Sequence, residues 1–196
     1  MSDKNFELLN EIQKKQQEFY SSSGKNIFIT KSQKNNCAES ISNNFNIHDL
    51  IKKTIFNIPN TNMVYMDYTL FKLYANPENF QIIVDHIFII INDVIQKYDN
   101  YESHINLNSF SISATERYKN IIDILCKKCI KSNTRYSIHL TKMCIYYSPC
   151  MIENIARLLN PFIDPLIKTK ITLYNKIESA SLLEQLFVSP KTQLPL

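Results

Sequence analysis

KMCIYYSPCMIENIARLLNPFIDPLIKTKITLY, from Lys142 to Tyr174, sets two β-forming runs on either side of a helix-forming one. It opens with KMCIYYSP, an apolar run of β-forming residues stopped by Pro149, which reads as a strand. MIENIARLL reads as a helix. The helix stops at Asn160-Pro161, because proline cannot continue it and restrains the residue before it. KTKITLY then reads as a second strand. Strand, helix and strand in such close succession imply two parallel strands joined by a crossover.

Working outward, the alternation continues. TNMVYMDYTLFKLY mixes aromatic and β-branched residues and contains a strand. Asn76-Pro77 predicts a helix start, with Asn as cap, Pro in the first helical position and Glu78 in the first turn. That helix runs to about Tyr98, with Phe80, Ile83, Val84, Ile87, Ile91, Val94 and Ile95 facing inward. HINLNSFSI alternates as a strand. Thr115 starts the next helix, with Tyr118, Ile121, Ile122, Leu125 and Cys129 inward. SLLEQLF is a short apolar helix after the last strand. The expected fold is α/β, a mostly parallel sheet covered on both faces by helices. Ligands in such folds usually sit where loops leave the carboxyl ends of the strands.

The N-terminal part has a different character. Residues 4–20 read as a polar helix with Phe6, Leu9 and Ile12 near one face. From Ser21 to Asn46 the chain is rich in Ser, Asn and Lys, and reads as a flexible or irregular linker with one strand-like piece, NIFIT. The expected organisation is therefore an N-terminal helix and polar linker over 1–46, and one domain over 47–196, beginning with a short helix in HDLIKKTIF.

Composition narrows the function. The 196 residues carry a net charge of +4, mildly basic and well short of a typical nucleic-acid binder, so no nucleic-acid partner is expected. The single glycine, Gly24, excludes phosphate loops and dinucleotide fingerprints, which need several. No cofactor is expected. The five cysteines are odd in number and follow a polar, charged start, so they read as reduced thiols in a cytoplasmic compartment. Cys126 and Cys129 form CKKC late in a helix, and only distant Cys144, Cys150 and His139 offer further ligands, so no metal site is expected. None of His48, His86, His104 and His139 has a nucleophile turn to serve, and no enzyme activity is expected. Heavy use of Asn, Ile and Lys points to an A+T-rich coding source, such as a large DNA virus or a protist. A viral protein would act in the host cytoplasm or the virion.

From Tyr136 to Tyr174 the chain resembles the CRAL-TRIO (Sec14-like) lipid-binding domain. KMCIYYSP, NPFIDP and TKI correspond to that family's strand and turn, its K-P-F-L-D-P-like turn, and the opening of its last strand. INLNSFS resembles an earlier family strand. The tail LYNKIESASLLEQLFVSPKTQLPL is similar to the divergent branch with BCH domains, which includes scaffolds for small GTPases and their regulators. The resemblance implies binding, and transfer at a peripheral membrane surface, of a lipid or other hydrophobic molecule held between the sheet and a C-terminal gate helix. It also implies the alternative, a BCH-like module that binds a small GTPase or its regulator.

The same resemblance assigns roles. Lys170, with Lys168, would meet a phosphate head group; read as residues, both are equally well exposed strand-edge lysines. The family's inositol-contacting glutamate falls on Ile138 and a nearby threonine on Ile167, so inositol recognition is not implied. Tyr146, Phe162 and Ile163 would line the pocket, with Phe162 and Ile163 plugging the turn. Leu182, Leu183, Leu186 and Phe187 form either a lipid-facing gate or an amphipathic helix that closes the core. The basic residues Lys127, Lys128, Lys131, Arg135, His139 and Lys142 would face an anionic membrane, an acidic protein or simply water.

Overall fold

The computed structural model describes residues 3–22, 30–131, 136–159, 161 and 163–188. In chain order the elements are α1 (Asp3–Ser22), α2 (Lys31–Asn44), α3 (Ile47–Thr54), β1 (Ile55–Asn57), β2 (Met63–Asp67) and α4 (Tyr68–Tyr74). A 3-10 turn (Pro77–Asn79) leads into α5 (Phe80–Tyr98) and β3 (Tyr101–Asn106). Then follow α6 (Ile112–Lys131), α7 (Tyr136–His139), β4 (Leu140–Tyr146), α8 (Ile152–Leu159), α9 (Pro165–Lys168), β5 (Ile171–Leu173) and α10 (Lys176–Phe187).

The five strands lie in one sheet in chain order, β1-β2-β3-β4-β5. β1 is antiparallel to β2; β2, β3, β4 and β5 are parallel to their neighbours. The chain is thus α/β with a mostly parallel sheet flanked by helices, and the stretch from Lys142 folds as a parallel unit, but the strand expected over KTKITLY is shorter, Ile171–Leu173, because Asp164 and Pro165 start the short helix α9 that takes in Lys168. When strand order follows chain order, right-handed crossovers put successive helices on one face. The packing agrees. Val94 of α5 shares a cluster with Val64, Tyr101 and Leu140 of three strands, and α6 packs beside both α5 and α8. The two faces are therefore covered unequally, and the second carries α10.

α10 spans that second face. Its twelve residues rise about 18 Å, close to the roughly 19 Å across five strands. It starts at the end of β5 and finishes with the Phe187 ring against Phe56 of β1 and Tyr65 of β2. Asn175 and Glu178 cap its first turn reciprocally. The cap sets its start upstream of the SLLEQLF core read from sequence.

Three further expectations need correction. Residues 31–44 are not an irregular linker but α2, closed by a Thr30–Gln33 capping box. Its few apolar side chains, Cys37, Ala38 and Ile41, are all buried, in a core reached also by Ile12 of α1. Arg117 fixes α2 by donating to Asn35 Oδ1 (2.9 Å) and the Lys34 carbonyl (3.0 Å) while also reaching the Ala75 carbonyl. Most of NIFIT lies outside the described residues. TNMVYMDYTLFKLY contains a strand as read, β2, which ends at Asp67, whose carboxylate takes the Thr69 N–H and starts α4. The strand expected over HINLNSFSI runs earlier, from Tyr101 to Asn106. It ends there because Asn106 Oδ1 accepts the Asn108 N–H and Ser109 turns the chain with φ 67°. The following helix begins at Ile112 rather than Thr115, with the Ser111 hydroxyl accepting the Ala114 N–H.

The long helix after Asn76-Pro77 forms as read. Asn76 and Asn79 exchange capping bonds, and Phe80, Ile83, Val84 and Val94 are buried. Phe88 joins them, against the Tyr136 ring.

Candidate functional site

Strand alternation sends every second side chain of β2, β3 and β4 toward α10. Register aligns them in rows across the sheet. Met63, Glu102 and Lys142 form the first row. Tyr65, His104, Cys144 and Thr172 form the second. Asp67, Asn106 and Tyr146 form the third, at the carboxyl ends of the strands. Most of this floor is polar or aromatic. Yet Tyr65, Asp67, His104, Asn106, Cys144 and Tyr146 are all buried.

A hydrogen-bond chain runs through it. His104 Nε2 lies 3.3 Å from the Glu102 carboxylate and Nδ1 lies 2.8 Å from the Tyr146 hydroxyl. A carboxylate only accepts, so Nε2 carries the proton and Nδ1 accepts from Tyr146. Burial pushes the His104 pKa below its ordinary 6.5, with Glu102 pulling the other way. The rings of His104, Tyr146 and Tyr174 stack in series, with centroids 5.9 and 5.3 Å apart. Lys142 donates to the Tyr174 hydroxyl and its ammonium lies by the same ring; that bond raises its pKa. In the third row, Asp67 accepts from the Thr69 hydroxyl and lies 3.5 Å from the Asn106 amide.

Hydroxyl, imidazole and carboxylate in sequence resemble a proton relay. However, burial raises the Tyr146 pKa and so holds the phenol neutral. Cys144 sits opposite His104 in register, but both imidazole nitrogens are engaged elsewhere and burial raises the thiol pKa. The chain therefore orients polar groups rather than activating a nucleophile.

The cover is apolar. Ser179, Leu182, Leu183, Leu186 and Phe187 recur at helical spacing on one face of α10; Ser179 is buried and the three leucines are half-buried. Ser179 pins the near end. Its hydroxyl accepts the Tyr147 N–H (2.7 Å) and donates to the Asn175 carbonyl (2.6 Å). Tyr147 has φ 52°, a conformation costly for a bulky side chain. The far end is the aromatic contact of Phe187 with Tyr65, centroids 4.9 Å apart and nearly perpendicular.

The residues selected from sequence fall in three places. Tyr146, Leu182, Leu183, Leu186 and Phe187 come together at the sheet–α10 interface. Lys170 does not join them: its ammonium donates to the carbonyls of Ser137 (2.7 Å), Ile138 and Leu140, closing the end of α7. Lys168 is exposed at the end of α9, and Ile163 is half-buried in the turn before it. Phe162 lies outside the described residues. Lys127 and Lys128 pair with Asp123 and Asp85, while His139 donates to the Asp99 carbonyl. Lys142 faces α10 because strand alternation turns it there; the Lys131 and Arg135 side chains lie outside the described residues. Glu102, His104, Asn106, Asp67 and Tyr65 are site residues that the sequence reading does not select. Their signal was period-two recurrence of polar or aromatic residues in three successive strands.

Cys126 and Cys129 are half-buried on α6, and burial raises both thiols, Cys129 to about 11. Among the described residues no group of three His, Cys, Asp or Glu side chains is placed to hold a metal ion. Nor is any described helix long and apolar enough to cross a membrane. No protein-family model matches the chain, and no curated protein matches it significantly.

Proposed function

We propose that the chain binds an amphipathic ligand of the lipid or phospholipid class between the polar floor and α10, in a CRAL-TRIO-like layout. The observation that carries this reading is the mismatch between cover and floor. Three leucines and a phenylalanine lie over a face bearing Asp67, Glu102, His104, Asn106 and Lys142. A face that served only to pack α10 would be apolar, because buried polar groups contribute little to packing and cost much when unpaired. An amphipathic molecule satisfies both surfaces: its polar head meets the floor, its apolar part meets the leucines. Head-group contact falls to Lys142, Asn106 and Tyr174 rather than to Lys170, whose donors are engaged. Exchange takes place at a membrane surface as α10 lifts, and no bond is made or broken.

The test is native mass spectrometry after incubation with phosphatidylcholine and phosphatidylserine vesicles. One phospholipid per chain is expected, lost in Asn106→Leu. A chain that emerges empty from both vesicles overturns the reading. One observation favours a second reading, a BCH-like module for a small GTPase or its regulator: the Phe187 ring already fills the space over Tyr65 and Phe56. An empty chain that binds a GTP-loaded small GTPase supports that reading instead.

A further inference from the structure

The two edges of the sheet are finished differently. At β1 the outward groups of Ile55 are satisfied: its N–H donates to the Ile51 carbonyl and its carbonyl bonds His86 Nε2 at 3.0 Å. At β5 the Lys170 carbonyl accepts the Met143 N–H, the Tyr174 N–H donates to the Ile145 carbonyl of β4, and the Tyr174 carbonyl accepts the Ser148 N–H just past β4. Alternation along a parallel strand then directs the N–H and C=O of Ile171 and Leu173 away from β4. Among the described residues no strand lies beyond β5. The edge is not blunted by side chains either, for Leu173 is 45% exposed and Ile177, just past it, is 87% exposed.

We infer that the free edge of β5 is a docking strand for an extended acidic segment of a partner protein, which would add as a further strand. Backbone bonds to Ile171 and Leu173 supply the pairing, and Leu173 and Ile177 offer apolar contact. Charge selects the occupant. Exposed Lys168 and Lys176 flank the strand at its two ends, so a segment with acidic ends and an apolar centre is complementary. A second copy of the chain is not. Antiparallel pairing about Thr172 would bring Lys168 of each copy toward Lys176 of the other. This inference is independent of the ligand beneath α10, because β5 offers its outer edge and not its floor face.

The probe is a fluorescein-labelled peptide, Asp-Asp-Val-Thr-Val-Asp-Asp, read by anisotropy with amide exchange at Ile171 and Leu173. Saturable binding is expected, with slowed exchange at those two amides. Affinity should fall at least about tenfold in the Lys168→Glu/Lys176→Glu variant, whose fold is checked by circular dichroism. N-methylated valines should abolish binding, since they remove the ladder bonds while keeping charge and shape. No binding, unchanged affinity in the variant, or indifference to N-methylation overturns the inference. So does self-association, seen by sedimentation without peptide, that protects the same amides, because the occupant would then be a second copy.

Discussion

Lys170 shows how one side chain can be matched to a motif yet be occupied by structure. Its ammonium serves three carbonyls around the end of α7, a local cationic cap. Lys170→Met keeps the aliphatic stem and removes those bonds. It should cost about 1–2 kcal/mol of stability, read as a lower urea midpoint, while phospholipid uptake stays at the wild-type level. Loss of uptake without loss of stability would restore the head-group role. His104 makes a second residue-scale prediction. Burial depresses its folded pKa below 6.5, so under acidic conditions the unfolded chain binds the proton more readily than the folded one. The stabilising contribution is complete above 6.5 and is lost as pH falls below it. Urea midpoints measured at pH 7 and pH 5 should drop more for the wild type than for His104→Gln; equal drops would show that His104 does not titrate with unfolding.

At the scale of elements, α10 is held at two ends. Ser179→Ala removes the acceptor of the Tyr147 N–H at a left-handed residue. It should cost about 1–3 kcal/mol and expose α10 to proteolysis before the sheet unfolds. Simultaneous cleavage throughout the chain would mean that α10 is not a separable element. Elements also explain what was legible in the sequence. The parallel unit from Lys142 to Tyr174 and the Asn76-Pro77 helix start could be read because prolines and caps act locally. α2 could not, because only Cys37, Ala38 and Ile41 anchor it, and the Arg117 contacts that hold it come from distant sequence. α10 was legible as a helix from SLLEQLF. What it covers was not, since the rows of the floor exist only after three strands come into register. The family resemblance gives Tyr146 but not its partner His104.

Across the described residues, the helices with the main core pack on one face of the sheet and a single helix covers the other. The apolar energy of folding is concentrated around Ile51, Tyr74, Ile83 and Tyr118. On the reading proposed above, α10 opens locally without breaching this core. On that reading α10 is a cover over a ligand-binding floor rather than a permanent layer of the core. Amide hydrogen exchange, with and without short-chain phosphatidylcholine, tests it most directly. If α10 is a cover, amides of residues 180–187 exchange at least about tenfold faster than those of β3 and β4, and slow when the phospholipid is added. Exchange of α10 at the rate of the central strands, unchanged by phospholipid, would contradict it.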